Sequence, residues 1–204
     1  MRIALYGATG MIGSRIVLEA LSRDHEVTAL SRTAGAQVPK AARVRQGDAG
    51  DADDVARIAA EHDIVVSAIG PSRTGGRHQV FLHAVAVLAE NVGTRKLIVV
   101  GGAGSLEVAP GLRLMDTAGF PEAARAESET QAAALELLER TGALADWVYV
   151  SPAPMIGPGE RTGRFRTGTD TLIGDYISAE DFAVAVVDEI ENDRHSRDRF
   201  TVAD

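Results

Sequence analysis

Short runs of apolar, mostly β-branched residues alternate along this chain with longer stretches of helical period. The first run, "RIALYG", is followed by a predicted helix from Met11 to Ser22, and "EVTALS" by a turn-rich connection. "RVRQGD" precedes a predicted helix from Asp51 to Glu61, and "DIVVSAIG" one from His78 to Asn91. Then come "RKLIVVGG", a long alanine-rich helix ending near Arg140, and "DWVYVSP". Strand-then-helix alternation is how a parallel sheet with crossover helices reads, and continuous runs such as "LIVV" suit strands covered on both faces. "SAED", Ser178 to Asp181, has the form of a capping box, and Phe182, Val186 and Ile190 share one face of the helix it opens. "RFTV" predicts a last strand.

This pattern predicts an α/β fold: a Rossmann-type doubly wound parallel sheet with helices on both faces, forming one domain over 1–204. Two stretches, about 101–121 and 152–175, are rich in glycine and proline and lack clear periodicity. Each follows a strand end, where an open parallel sheet places its ligands, so they are expected to be substrate-side loops.

Composition narrows the chemistry. The chain has 204 residues, 45% hydrophobic, which suits one core. A formal net charge of -8 without a basic block argues against nucleic acid and anionic membranes as partners, leaving a small-molecule ligand. Without cysteine there is no disulfide and no thiolate chemistry, so redox activity would need a bound cofactor. The opening residues read as a strand, not a signal segment, and no run is long enough to span a bilayer; the expectation is a soluble, cytoplasmic protein.

The glycines in "YGATGMIGSRI" fall between the first strand and the first helix. Gly7 allows a sharp turn, Gly10 removes a side chain where a pyrophosphate would approach, and Gly13 permits tight packing of helix on sheet. Thr9, Gly10, Met11 and Ile12 are the expected backbone or hydroxyl donors to the phosphates at the helix N-terminus. The spacing is G-x-x-G-x-x-G, one residue longer before the second glycine than G-x-G-x-x-G. After the second strand, Ser31, Arg32 and Thr33 offer two hydroxyls and a guanidinium and no carboxylate. That set suits a 2′-phosphate and predicts a preference for NADP(H) over NAD(H). Asp48 is placed to accept from the adenine amino group, Asp51 to cap the next helix, and Ala68, Ile69 and Gly70 to lie along the cofactor.

With these residues in place, the chain resembles the atypical, NmrA-like NAD(P)H-binding group of the short-chain dehydrogenases/reductases. The motifs "YGATGMIGSRI", "VVGGAGSL", "DWVYVSPAPMIGPGERTGRFRTGTD" and "ISAEDFAVAVVDEIE" are most similar to bacterial proteins provisionally described as NADH-flavin reductases, relatives of flavin/biliverdin reductase B. The resemblance implies hydride transfer from a nicotinamide to a flavin or similar acceptor. Typical members of that superfamily use a Tyr-x-x-x-Lys pair, in which lysine lowers the tyrosine pKa for proton transfer. Here Tyr6, Tyr149 and Tyr176 are followed four residues on by Gly10, Ala153 and Glu180. Losing such an acid typically forfeits ~10²–10⁴ in rate where charge develops on oxygen, which favours a flavin, quinone or tetrapyrrole acceptor over a simple carbonyl. A non-catalytic NADP(H)-sensing protein is the alternative, and a sugar-nucleotide epimerase or dehydratase a more distant one.

The resemblance also draws attention to Ser105, near where the superfamily places a substrate-orienting hydroxyl, although the match is offset. Pro152, Ala153, Pro154 and Met155 follow a central strand and are expected beside the nicotinamide, with flavin possible as substrate. His78, at a helix start, is read as a proton donor or, more simply, a capping residue. Arg77, Arg161, Arg164 and Arg166 are candidates to meet a flavin phosphate or tetrapyrrole carboxylate. Trp147 is assigned to the core, and the histidines show no spacing for a metal site.

Overall fold

The computed structural model describes residues 1–32, 38–72, 75–140 and 145–204. In chain order, β1 (Arg2–Tyr6) leads to α1 (Met11–Ser22), β2 (Glu26–Ser31), β3 (Arg43–Gln46) and α2 (Ala52–Glu61). β4 (Ile64–Ser67), α3 (Gln79–Asn91) and β5 (Lys96–Val100) follow, then a short hairpin of β6 (Glu107–Ala109) and β7 (Leu112–Arg113). The second half holds α4 (Glu122–Arg140), β8 (Asp146–Pro152), β9 (Met155–Gly157), β10 (Arg166–Gly168), β11 (Tyr176–Ser178), α5 (Ala179–Asn192) and β12 (Asp198–Ala203).

Eight strands form the main sheet in the order β10-β12-β8-β5-β4-β1-β2-β3, parallel throughout except for β10 at one edge. The buried residues of β1 explain the two layers. Ile3 and Leu5 face α1 and α5, packing with Ile16, Val17, Phe182 and Val186. Ala4 and Tyr6 point the other way, among Val55, Phe81, Leu88 and Leu135 of α2, α3 and α4. A strand covered on both faces must be apolar at every position, which is why the runs show no alternation. Trp147 is core, at 4% exposure. Chain order runs outward in opposite directions from β1 and β4, so the crevice at their carboxyl ends is a topological switch point, where such sheets bind ligands.

The helix starts follow the expected chemistry. Asp51 caps α2 by accepting the Asp54 N–H at 3.0 Å, and Ser178 caps α5 by accepting the Asp181 N–H at 2.9 Å. The capping box is incomplete, because the Asp181 carboxylate accepts instead from the Thr162 and Gly163 N–H groups, at 2.9 and 2.7 Å.

The two stretches without periodicity are more ordered than their sequence suggests. The first contains the β6–β7 hairpin; the second contains β9, which pairs with β11, and β10, which extends the main sheet. Strands of three residues are too short to show a period. Residues 157–165 are held down by buried or half-buried carboxylates: Glu19 of α1 binds Arg161 through two hydrogen bonds of 2.7 Å, and Glu180 accepts from the Gly159 N–H at 2.7 Å.

Candidate functional site

The turn after β1 shows which glycines the fold itself requires. Gly7 has φ +80°, and a Cβ there would lie 2.6 Å from the Ala68 carbonyl, so both conformation and space exclude a side chain. A Cβ on Gly13 would lie 2.8 Å from the Gly7 carbonyl carbon and closer still to its oxygen. Gly10 is different: its backbone is extended, φ -72° and ψ 167°, and a Cβ would meet nothing nearer than the Gly7 oxygen at 3.3 Å. The fold thus demands glycine less strongly here than at Gly7 or Gly13, while a ligand approaching the helix start would gain from the missing side chain.

The hydrogen bonds refine the expected donor set. Gly10 N–H donates to the Gly7 carbonyl at 3.0 Å, so this residue contributes room and not a donor. Among the described residues, the N–H groups of Met11 and Ile12 in the first turn of α1 have no backbone acceptor, and Thr9 is exposed beside them. The helix opens without a carboxylate, and the partial positive charge of its N-terminus is uncompensated there. This geometry suits an anion at the switch point.

Beside it a cleft of about 610 Å³ runs along the carboxyl ends of β2, β3 and β4. Gly7, Thr9, Ser31, Arg32, Asp48, Ile69 and Gly70 all line it, so the structure gathers residues from four separate sequence motifs around one cavity. Ala68 forms the wall against Gly7. Thr33 lies outside the described residues. The sequence reading missed the far wall, supplied by Tyr6, Val80, Phe81, His83 and Ala84. Their signal was present but ambiguous, because apolar residues at helical spacing on α3 serve the core and the cleft alike.

An adjoining groove of about 540 Å³ sets Arg32 and Arg57 against Asp48, Asp51, Asp53 and Asp54. Several of these carboxylates have internal partners: Asp54 accepts from the Asp48 N–H at 2.8 Å and pairs with Arg57, and Asp48 accepts from the Gly50 N–H at 2.9 Å. Arg32 therefore stands in a mixed field, with its charge opposed by acidic neighbours.

The remaining candidates separate clearly. Ser105 does not line the cleft; its hydroxyl accepts from Arg199 Nη1 at 2.8 Å, and that guanidinium, nearly buried, also binds Asp170 at 2.5 Å. The hydroxyl thereby pins the loop after β5 to β12, two strands removed from β5. Arg161 is paired with Glu19, and Arg166 with the Asp204 carbonyl at 2.5 Å, so both guanidinia already have partners within the chain, and neither lines the cleft. Arg77 does line the cleft, and Arg164 is exposed. His78 stands at the start of α3 without capping it, its Nδ1 2.7 Å from Thr130 Oγ1 and its Nε2 3.1 Å from the Ser72 carbonyl. It ties the loop after β4 to α4. Pro152 is buried at the end of β8, and Met155 is exposed at 59%. Tyr149 is fully buried and donates to the Gln131 carbonyl at 2.9 Å, and burial pushes its phenol far above the ordinary range.

Comparison with known proteins agrees with this geometry. Residues 7–193 match the family model described as NAD(P)H-binding. The uncharacterised protein YwnB of Bacillus subtilis (strain 168) is 38% identical over 219 residues, covering 99% of this chain and 98% of that protein. A Burkholderia pseudomallei structure provisionally named an exported protein is 44% identical, with full coverage of both chains and a TM-score of 0.89. A Streptococcus pneumoniae structure provisionally named an NADH-flavin reductase is 29% identical, covers 100% of this chain and 99% of that one, and also has a TM-score of 0.89. No helix among the described residues is long and apolar enough to cross a membrane. The family match covers the glycine turn, the uncapped start of α1 and the cleft beside it, and the chain belongs to the NAD(P)H-binding family.

Proposed function

We propose that this protein is an NAD(P)H-dependent reductase that delivers hydride to a flavin-like acceptor, a flavin, quinone or tetrapyrrole, and that it prefers NADP(H). The observation that carries the reading is Gly10, where the fold demands glycine less than at Gly7 or Gly13, standing over the N–H groups of Met11 and Ile12 that have no backbone acceptor. Those groups and Thr9 would hold the diphosphate, Arg32 with Ser31 the 2′-phosphate, and the cleft lined by Asp48, Ile69 and Gly70 the adenosine. Bound there, a reduced nicotinamide supplies hydride, with the accompanying proton taken from solvent.

The tyrosines support the choice of acceptor. Tyr149 is sealed in the core, Tyr6 is buried at the adenosine end, and neither has a lysine four residues on. A conjugated ring disperses the incoming charge and needs no positioned acid, so binding and alignment suffice. The provisional name of the Streptococcus pneumoniae relative points to the same chemistry.

One observation favours a second reading. Ser105, the hydroxyl suggested for substrate, is engaged by Arg199, which suits a protein that binds NADP(H) and senses its redox state without turnover. NADPH oxidation followed at the nicotinamide absorbance with FMN, FAD, a quinone and biliverdin separates the two. The reductase reading expects acceptor-dependent loss of NADPH; tight NADPH binding with no turnover on any acceptor would overturn it.

A further inference from the structure

Arg199 stands on β12 at the position paired with Tyr149 of β8 and is 6% exposed. A buried guanidinium is costly to desolvate, and this one makes three directed bonds in return. Nε and Nη2 donate to Asp170 Oδ1 at 2.9 and 2.5 Å, and Nη1 donates to the Ser105 hydroxyl at 2.8 Å. Ser105 belongs to the loop after β5, and Asp170 to the segment after β10. The backbone already joins these two pieces of chain: the Glu107 N–H donates to the Asp170 carbonyl at 2.8 Å, and the Leu172 N–H to the Glu107 carbonyl at 2.9 Å. Arg199 fixes the joined loops to the sheet.

The fold gains little from the charge itself. Asp170 keeps 64% of its side chain exposed, so water would satisfy its carboxylate if Arg199 were replaced, and no charge would be left buried. Methionine, unbranched and adaptable, would fill the space. It would not supply a planar fork whose donors reach two loops at once. The place of the fork gives it a consequence. The cleft lies over the ends of β2, β3 and β4, and a dinucleotide centred on the switch point would extend its other half over β5 and β8. The reductase reading puts the nicotinamide and its acceptor there, against the loops that follow those strands. We propose that Arg199 is a positioning residue: through Ser105 and Asp170 it sets the distance of the paired loops from the strand ends, and that spacing selects a broad, several-ring acceptor. The proposal rests on the reductase reading and deepens it. An acceptor of one ring is too small to touch both nicotinamide and loops, so it should be indifferent to the spacing.

The test follows NADPH oxidation with a one-ring benzoquinone and with FMN, or with biliverdin where FMN is not reduced, in wild type, Arg199→Met and Arg199→Lys. Melting temperatures and NADPH dissociation constants are measured alongside. In Arg199→Met the KM for the several-ring acceptor should rise about tenfold with kcat within about threefold, while the KM for benzoquinone changes less than about twofold. NADPH affinity should stay within about twofold of wild type and the melting temperature within about 4 °C. Arg199→Lys keeps the charge beside Asp170 without the fork and should behave as Arg199→Met does. Equal losses with both acceptors would reduce Arg199 to a structural role. That result, unchanged kinetics, wild-type selectivity in Arg199→Lys, or a wild type that reduces benzoquinone alone would overturn the proposal and leave the reductase reading standing. If Arg199→Met fails to fold, Arg199→Lys decides; if neither folds, the guanidinium serves the fold and the proposal fails. A wild type that reduces none of these acceptors would overturn both.

Discussion

Gly10 and Gly13 are three residues apart in one turn, yet alanine should do opposite things at the two positions. At Gly13 the new methyl would overlap the Gly7 carbonyl, a backbone group that cannot rotate away. Overpacking of this kind costs about 3 kcal/mol, offset by about 1 kcal/mol of improved helix propensity. The net loss of about 2 kcal/mol corresponds to a melting temperature about 4–8 °C lower in a chain of this size. At Gly10 the backbone is extended and the methyl would meet only the Gly7 oxygen, at 3.3 Å, a tight contact that a few tenths of an ångström relieve, against an outright overlap at Gly13. Alanine is a poorer N-cap than glycine by roughly 0.5 kcal/mol, and the unfolded chain loses a similar amount of freedom, so stability should change by less than about 1 kcal/mol.

Binding reverses the order of damage. A methyl at Gly10 stands between the diphosphate and the first-turn N–H groups, and each lost charge-assisted bond is worth about 1.5–3 kcal/mol. NADPH affinity of Gly10→Ala should therefore fall about 10- to 100-fold while its melting temperature stays within about 3 °C of wild type. Differential scanning fluorimetry and fluorescence titration give both quantities. Wild-type affinity in Gly10→Ala would refute the phosphate cradle, and wild-type stability in Gly13→Ala would refute the packing argument.

Other expected outcomes follow from named contacts. Arg32→Ala should weaken NADPH by about tenfold and leave NADH nearly unchanged, since a guanidinium distinguishes the two only through the 2′-phosphate; equal losses for both would remove the preference. Ser105→Ala should keep turnover within about threefold of wild type and lower stability by about 1 kcal/mol through the Arg199 contact, whereas a hundredfold fall in kcat would return Ser105 to the reaction. Glu19 is held below the usual carboxylate range by hydrogen bonds from Arg161 and then Arg23, which outweigh its desolvation. Its stabilisation is therefore present above the unfolded-state pKa and lost as pH falls through the lower folded value, so urea midpoints should drop on acidification below about pH 4.5 and drop less in Glu19→Gln.

The fold was legible because a sheet covered on both faces leaves long unbroken apolar runs, and because Asp51 and Ser178 mark helix starts by their own chemistry. The glycine turn of the candidate site was legible for a related reason: Gly7 and Gly13 answer steric demands local to one turn, and local demands leave local signatures. Two kinds of feature escaped. Tyr6 and Phe81 carry no mark that separates a cleft wall from a core wall, since that depends on how α3 leans across the sheet end. Ser105, Arg161 and Arg166 stand as ligand candidates in the sequence because polar residues in glycine-rich loops have no visible partner until the chain folds back. Their partners, Arg199, Glu19 and the Asp204 carbonyl, lie 94, 142 and 38 positions away.

Those distant partners also explain how a loop so poor in regular structure is held against α1. Arg15, one turn into α1, donates to the Met11 carbonyl at 2.9 Å and to Glu180 at 2.8 Å, and Glu180 in turn accepts from the Gly159 N–H. The first turn of the proposed phosphate helix and the loop after β9 are thus joined through two side chains, and Glu19 with Arg161 adds a second tie one turn further along. Each pair is partly shielded from solvent, where an ion pair survives salt better than an exposed one. The loop is therefore positioned by charge against a helix that the glycine turn has already fixed to the sheet, and its geometry depends on that turn although no residue of the loop belongs to it.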